Sequence, residues 1–348
     1  MAFRKTSLET RPQIVEVSPG AAIPGGEFLI RGKGLAPAGA SNDLRPQVRF
    51  GSVAASIVIG SDSFIIARVP DGASANAITV GGDHHVSPPW TCEIGIQIAD
   101  GLHPVANPVI DRHGNIYTTF SGSPGQKTPV SIYKIDASDH AKPLVTDLMN
   151  ATGLAFDAEG VLYASSRHEG VVYQVSPDGN LAVYVEGMGV ATGLVFDPDG
   201  NLYLGDRSGT VFKISRERQI YVFATLEPSI AAYHLAFGPD GYLYVTGPTT
   251  SSFDNLYRIS SAGHVEVFYR GLGRPQGMAF DAKGKLYVAA SLGGRRGVVR
   301  LTPAAEAQLF LSGPGIVGLA FSPSKALVVA TNNSIYRVEA GIEGRRLP

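Results

Sequence analysis

The sequence predicts an all-β protein in which a β-sandwich is followed by a six-bladed β-propeller. Two observations lead to this fold class. A motif of the form G-L-x-F-D-x-x-G-x-L-Y recurs along most of the chain, and residues 11–90, which lack it, show short alternating strands instead. A fixed period of about forty residues indicates a repeat architecture and outweighs any local signal. Because no segment sustains the 3.6-residue period of a helix, we expect strands almost throughout.

The first element is the sandwich, predicted over residues 11–82 behind a tail of residues 1–10. Its strands are separated by Gly, Pro and Asp, as in "PQIVEVSP", "GGEFLIRGKGL", "VRFG" and "ARVP". This is sandwich patterning. The order of these pieces resembles the IPT/TIG family, which implies an immunoglobulin-like β-sandwich that docks partners or acts as a spacer. The stretch "DHHVSPPW" lies in residues 83–92, which we interpret as a stiff linker.

The propeller is predicted over residues 93–348 from six copies of the repeated motif. Each copy contains an apolar strand, a turn such as "DPDG", and three further strands. Four strands in about forty residues are typical of a propeller blade. The copies begin at Pro108, Gly153, Gly193, His234, Gly277 and Gly318.

The repeated turns also predict local structure. In "DPDG", Pro198 suits the second position and Gly200 the positive φ of the fourth residue, while the aspartates are expected to cap their own turns rather than bind calcium. Each third strand carries a long polar residue whose alkyl stem is expected to cover apolar surface between blades. These residues are Lys134, Gln174, Lys213, Arg258, Arg300 and Arg337.

The last copy has no fourth strand of its own. After "SIYRVE" the chain contains only "AGIEGRRLP", whereas "EIGIQIADG", just before the first copy, resembles the fourth strands of other copies. We therefore predict that a strand near residues 93–99 pairs with Ile335–Val338. This pairing would close the ring and cover an open sheet edge.

Composition excludes several classes of function. The formal net charge is −1, so no global basic field favours nucleic acid. No apolar run approaches the ~18 residues of a membrane helix, and membrane insertion is not expected. Cys92 is the only cysteine, which excludes an intrachain disulfide and a cysteine-based zinc site. The first residues lack a signal-peptide apolar region, so the prediction is a cytoplasmic protein, or an exported one if a leader was removed.

The predicted blades resemble the NHL and SMP-30/gluconolactonase propellers over residues 93–348. "RPQGMAFDAKGKLYVAASLGGRRGVVRL" carries the resemblance most closely. It implies a divalent cation in the central tunnel, held by a Glu, two Asn and an Asp where the innermost strands begin. The matching positions here are Asn107, Thr192, Tyr233 and Gln276. Both carboxylates are absent, and without them a hard dication lacks charge compensation. We therefore predict no metal, no cofactor and no catalytic residue.

Other side chains are candidates for binding near the central opening. His234 stands where most copies have glycine, and is interpreted as a structural histidine or as a base or ligand-binding group. Arg167 and Arg207 follow equivalent second strands, with Asp206 beside the latter. They are either solvated loop arginines or anchors of a shared surface patch.

The function predicted from these residues is non-catalytic binding of a protein partner or a small ligand on the propeller's loop face, with the sandwich as a docking or spacing module. One alternative is a lactone hydrolase of the SMP-30/gluconolactonase type that holds a divalent cation such as calcium through unexpected ligands. Another is a metal-free lyase that uses His234.

Overall fold

The computed structural model describes residues 11–36, 46–74, 76–82, 85–123 and 125–345. The predicted N-terminal tail and the first two linker residues, 83 and 84, lie outside these ranges. The described residues form strands and turns without a helix, as the sequence predicts, and accordingly none of them lies in a helix able to span a membrane. The chain divides into two compact units, residues 1–96 with 310–314 and residues 97–309 with 315–348.

The first unit consists of short strands in two main antiparallel sheets. One sheet has the order β1-β3-β7-β6 and the other β10-β8-β4-β5, with β9 beside β8. The strands are β1 (Gln13–Ser18), β2 (Ala21–Ala22), β3 (Glu27–Lys33), β4 (Val48–Phe50), β5 (Val53–Ala54), β6 (Ser56–Gly60), β7 (Phe64–Arg68), β8 (Ala77–Gly82), β9 (His85–Val86), β10 (Trp90–Thr91) and β11 (Glu93–Ile94).

The two sheets of the first unit share one apolar core. Alternate residues of β3 and β7 are buried, as are those of β4 and β8, because successive side chains of a strand point to opposite faces. Phe28 from the first sheet and Phe50 from the second stack with ring centroids 5.8 Å apart. His85–Val86 and Trp90–Thr91, within the predicted linker, are strands that pair with β8.

The second unit is built from antiparallel strands in successive sheets, numbered 1 to 6 below. Sheets 1 to 5 each take four consecutive strands, and sheet 6 has the order β12-β35-β34-β33. The strands are β12 (Ile96–Ala99), β13 (Val109–Ile110), β14 (Ile116–Thr119), β15 (Ile132–Ile135), β16 (Ala141–Val145), β17 (Ala151–Phe156), β18 (Leu162–Ser166), β19 (Val171–Val175), β20 (Leu181–Glu186), β21 (Ala191–Phe196), β22 (Leu202–Asp206), β23 (Thr210–Ile214), β24 (Ile220–Thr225), β25 (His234–Phe237), β26 (Leu243–Thr246), β27 (Asp254–Ile259), β28 (Val265–Leu272), β29 (Met278–Phe280), β30 (Leu286–Leu292), β31 (Arg295–Leu301), β32 (Ala307–Ser312), β33 (Ile316–Phe321), β34 (Leu327–Thr331) and β35 (Ile335–Val338).

Sheet 6 combines strands from distant parts of the chain. β12, which precedes sheet 1, lies beside β35, the last strand. The phenolic hydroxyl of Tyr336 donates to Oε1 of Gln97 over 3.3 Å, and the main-chain N of Leu102 donates to the carbonyl of Asn333 over 3.0 Å. These contacts connect the two ends of the repeat region.

The turns between first and second strands follow the geometry that their residues predict. Asp197 accepts from the main-chain N of Asn201 at 2.8 Å, and Gly200 has a φ of +80°. Asp157 and Asp281 accept from the residues four positions later in the same way. The prediction that the aspartates cap their own turns is confirmed.

Fourth strands in sheets 1 to 4 carry a β-bulge at one equivalent position. In sheet 2, Val172 pairs with Val185 and Tyr173 with Val183, so that Tyr184 has no partner in the ladder. A bulge bends the strand and re-aims the extra side chain. The tyrosine at 184 consequently lies against Tyr163 of its own sheet, with ring centroids 5.0 Å apart. The equivalent bulged residues are Leu144, Phe223 and Phe268.

Third-strand cations lie over aromatic rings of their own sheets, whereas the sequence prediction was that they cover apolar surface between blades. The Lys213 Nζ atom lies 5.5 Å from the ring centroid of Tyr203, and the Arg258 guanidinium lies 4.8 Å from that of Tyr242. Such contacts combine cation–π attraction with burial of the alkyl stem.

Candidate functional site

The predicted site residues of the second unit lie at one end of its sheets. In an antiparallel pair, the start of the first strand faces the end of the second. Ala151 therefore pairs with Ser166, and Ala191 with Asp206. Arg167 and Arg207, which directly follow these second strands, lie at the same end as the residues that begin the first strands.

At this end the first strands of neighbouring sheets touch backbone to backbone. The main-chain N of Gly193 donates to the carbonyl of Tyr233 over 3.0 Å. A Cβ atom on Gly193 would lie 2.3 Å from that oxygen, and one on Gly153 would lie 2.4 Å from the carbonyl of Thr192. Real Cβ atoms do not approach backbone so closely, which explains the recurrent glycine of the motif.

Asn107 and Thr192 hold this contact region together. The Asn107 amide donates to the carbonyl of Met278 at 2.8 Å, and its oxygen accepts from the main-chain N of Leu319 at 3.0 Å. The Thr192 hydroxyl donates to the carbonyl of Gly205 at 2.6 Å and accepts from the main-chain N of Tyr233. The hydrogen-bonding atoms of both side chains are thus engaged within the chain.

Tyr233 and His234 are both buried beside this contact region. The Tyr233 hydroxyl donates to the carbonyl of Glu227, and the ring packs in the core of the second unit. His234 is 2% exposed, and its Nε2 atom has no hydrogen-bond partner. Burial lowers the pKa of His234 to about 4, because a low-dielectric environment penalises the imidazolium form. The imidazole is therefore neutral at neutral pH.

Gln276 is held by an arginine that the sequence interpretation did not select. Arg296 donates to the Gln276 side-chain oxygen at 2.9 Å and to the carbonyl of Arg274 at 3.0 Å. It also donates to the carbonyls of Gly273 and Ile316. Burial, and secondarily the charge of Arg274, lowers the pKa of Arg296 to about 10. In the sequence, Arg296 is the second of two adjacent arginines in the "GGRRG" stretch.

Arg167 and Arg207 lie close enough for their charges to interact. Burial, and after it the Coulombic effect of Arg207, lowers the pKa of Arg167. Arg167 donates to the carbonyl of Gly122 at 3.0 Å, and Arg207 donates to that of Ile230 at 3.2 Å. Among the described residues, neither guanidinium has a carboxylate within ion-pair distance.

Asp206 does not neutralise either arginine. Its carboxylate accepts from the main-chain N of Val190 at 2.8 Å and from the Ser208 hydroxyl. Only 7% of Asp206 is exposed. It therefore stabilises the loop that enters β21 and, as its partners show, forms no ion pair with either guanidinium group.

A cleft of about 620 Å³ opens beside Arg207. Its walls are formed by residues 227–230 and 249–251, which include four hydroxyl-bearing side chains and one carboxylate, that of Glu227. Arg207 donates to the carbonyls of Ser229 and Ile230, both in the lining, so the guanidinium stands at the edge of the cleft. This is the size of a small-molecule site.

Comparison with solved structures identifies the architecture. A candidate gluconolactonase has a TM-score of 0.60 and 18% identity, with 73% of this chain and 94% of that chain covered. Its likeness and that of the lyase below show the same fold at low identity. This chain contains a β-propeller.

Two further solved structures align with the propeller chain over nearly its whole length. An auxiliary nutrient binding protein from Bacteroides ovatus has a TM-score of 0.55 and 11% identity, covering 97% of this chain and 99% of that chain. A virginiamycin B lyase from Staphylococcus aureus, with quinupristin, has a TM-score of 0.52 and 13% identity, covering 97% of each chain. No family model and no curated protein matches the sequence.

The cation implied by the resemblance to SMP-30 propellers does not fit the side chains at the matching positions. The side-chain oxygens of Asn107 and Thr192 already form hydrogen bonds with main-chain groups, as described above. The oxygen of Gln276 faces the Arg296 guanidinium, whose positive charge opposes a cation there. Among the described residues, no three His, Cys, Asp or Glu side chains are grouped as metal ligands would be.

Proposed function

We propose that this protein binds a small anionic ligand without transforming it, at the propeller end that carries Arg167 and Arg207. The observation that supports this proposal is the pair of interacting, half-buried guanidinium groups without a carboxylate in ion-pair distance among the described residues, one of which, Arg207, bonds to residues that line the cleft. Their hydrogen bonds to main-chain carbonyls hold them in place before a ligand arrives. Pre-organised arginines suit carboxylate and phosphate groups, which they recognise through paired hydrogen bonds.

The likeness to the nutrient-binding protein supports a binding role because that protein has the same fold and its name describes it as a binding protein. That likeness covers 97% of this chain, as does the likeness to the lyase, so the choice between binding and catalysis rests on the side chains of the site. His234 is not well placed for the alternative lyase reaction, because it is buried. The proposal therefore favours Arg167, Arg207 and the exposed part of Gln276 as ligand contacts, with Asn107, Thr192, Tyr233 and Asp206 as the framework beneath them.

We also propose the finer architecture that the sequence predicts. Sheets 1 to 6 would be the six blades of the propeller, with the β12–β35 pairing closing the ring. The first unit would be an IPT/TIG immunoglobulin-like sandwich that docks or spaces the propeller. Its two antiparallel sheets on one core support this assignment. A cytoplasmic location and the absence of a cofactor stay predictions.

Replacing both rim arginines is expected to abolish ligand binding. Isothermal titration of the full chain with D-gluconate and with inorganic phosphate should detect saturable binding of one of these anions. The double variant Arg167→Gln/Arg207→Gln should bind at least tenfold more weakly, because two charge-assisted hydrogen-bond donors are lost. The matched control, Arg112→Gln/Arg270→Gln, removes two exposed arginines and should bind as the unaltered chain does.

The same samples distinguish binding from catalysis. Ring-opening of glucono-lactone, followed by pH-stat titration, should proceed at the rate found in buffer alone. Acceleration that requires a divalent cation would instead favour the hydrolase. The binding proposal is wrong if neither anion binds, or if the double variant binds as tightly as the control.

A further inference from the structure

An aromatic cluster recurs between neighbouring sheets of the propeller. In sheets 2, 3 and 4, a tyrosine on the second strand meets a bulged aromatic residue of its own fourth strand and a phenylalanine on the first strand of the next sheet. Tyr203, for example, has ring centroids 5.0 Å from Phe223 and 5.1 Å from Phe237. Tyr163 and Tyr244 are each placed between two rings in the same manner.

Sheet 1 departs from this pattern at a single position. Tyr117 and Phe156 meet edge to face with ring centroids 5.3 Å apart. The bulged residue, however, is Leu144, where sheets 2, 3 and 4 have an aromatic ring. A leucine is shorter than the aromatic side chain it replaces, and the first cluster therefore has two rings rather than three.

A groove of about 410 Å³ lies at this position. Tyr117, Leu144 and Phe156 contribute apolar surface to its lining, and Lys134 with residues 160–162, 174–177 and 180–182 completes it. The groove belongs wholly to the second unit and lies near the turns between third and fourth strands, away from Arg167 and Arg207. Its volume is within the range of small-molecule sites.

The groove also contains one cation. The Lys134 Nζ atom lies 5.5 Å from the Tyr117 ring centroid. Among the described residues no carboxylate lies within ion-pair distance of it, whereas the equivalent Arg258 and Arg337 are paired with Glu266 and Asp139. Lys213 is likewise unpaired, but in its sheet Phe223 occupies the ring position. Within the part of the chain that the structure describes, an unpaired lysine and a non-aromatic bulged residue occur together at sheet 1.

We propose that this groove binds a small aromatic carboxylate. The ligand's ring would stack against Tyr117 and Phe156, where the other sheets place a bulged ring of their own. Its carboxylate would meet the Lys134 ammonium group at the mouth of the groove. Apolar walls with one well-placed charge are the usual composition of small-ligand sites. This site is independent of the anion site proposed above.

The test is titration of the full chain with 3-phenylpropanoate, by calorimetry and by saturation-transfer NMR. A ligand of this size in such a groove should bind with a Kd of roughly 1 mM. Leu144→Phe restores the repeated ring, so binding should weaken at least tenfold while the melting temperature stays equal or rises. Lys134→Met should weaken the binding of 3-phenylpropanoate at least tenfold but leave the affinity for the neutral analogue 3-phenylpropanol unchanged.

Two controls separate this proposal from the others. Lys213→Met removes the equivalent lysine of sheet 3, and should bind 3-phenylpropanoate normally. Arg167→Gln/Arg207→Gln should also bind it normally, whether or not the rim proposal holds. The groove proposal is overturned if the unaltered chain shows no saturable binding, or if Leu144→Phe binds as tightly. Equal weakening of the acid and the alcohol by Lys134→Met would overturn the role of the carboxylate.

Discussion

Gly193→Ala is expected to destabilise the propeller by about 4 kcal/mol or more, among the largest effects of a single methyl group. The added Cβ would lie 2.3 Å from the carbonyl oxygen of Tyr233 in the neighbouring sheet. Relief of this clash requires the two first strands to separate, which also breaks the 3.0 Å hydrogen bond between Gly193 and Tyr233. The contact is between two backbones, so no side-chain rotamer can relieve it.

The matched control is Gly160→Ala, in a turn of the neighbouring repeat. Gly160 has a φ of +83° but open space around its Cα, so the alanine there bears only the left-handed backbone strain of about 1–2 kcal/mol. Urea unfolding followed by far-UV circular dichroism would give both values. Tryptophan fluorescence is unsuitable, because Trp90 lies in the first unit. A Gly193 variant no less stable than the Gly160 variant would contradict the proposed steric cause.

The burial of His234 is expected to lower the free energy of unfolding in acid by about 3 kcal/mol. Its pKa is about 4 in the folded chain and 6.5 when exposed, and each pKa unit corresponds to about 1.4 kcal/mol. Because the folded pKa is the lower one, the unfolded chain binds more protons between these values. Stability is therefore complete above pH 6.5, is lost as the pH falls toward 4, and changes no further below that.

The measurement is the free energy of unfolding at several pH values for the unaltered chain and for His234→Gln. The variant has no imidazole to titrate. Between pH 7 and pH 4 its free energy of unfolding should therefore fall by about 3 kcal/mol less than that of the unaltered chain. His168→Gln, which removes an exposed histidine, should leave the pH dependence unchanged. Parallel pH profiles for the unaltered chain and His234→Gln would show that His234 does not titrate as its burial requires.

The repeated motif made the local architecture predictable. The strand–turn–strand of "GLVFDPDGNLYLG" is visible in the alternation of its apolar residues and in the turn residues themselves, and β21 and β22 follow it. These signals act over a few residues, where sequence and conformation are directly coupled. The pairing of Ile335–Val338 with a strand before the first repeat was also predictable, because the last copy lacks one strand.

The site was less predictable, since its contacts join residues far apart in the chain. Asn107 was selected as a group facing a ligand, but its amide bonds Met278 and Leu319, 171 and 212 residues away. One sequence gives no information on which polar atoms such distant strands will satisfy. Leu144 is different, because it stands at the repeat position that is aromatic in the fourth strands of sheets 2, 3 and 4, and the repeats therefore mark it in the sequence.

The pairing of β12 with β35 has a consequence for synthesis of the chain. Residues near 97 leave the ribosome well before their partners at 335–338, since more than two hundred residues separate the two strands. Until β35 has been synthesised, β12 has no partner strand in sheet 6, and its main-chain hydrogen-bonding groups stay unpaired in the nascent chain. Contacts of such high sequence separation form slowly. Early-made sheets must therefore resist aggregation on their own, and chaperone dependence should be greatest for ribosome-bound chains that end before residue 335.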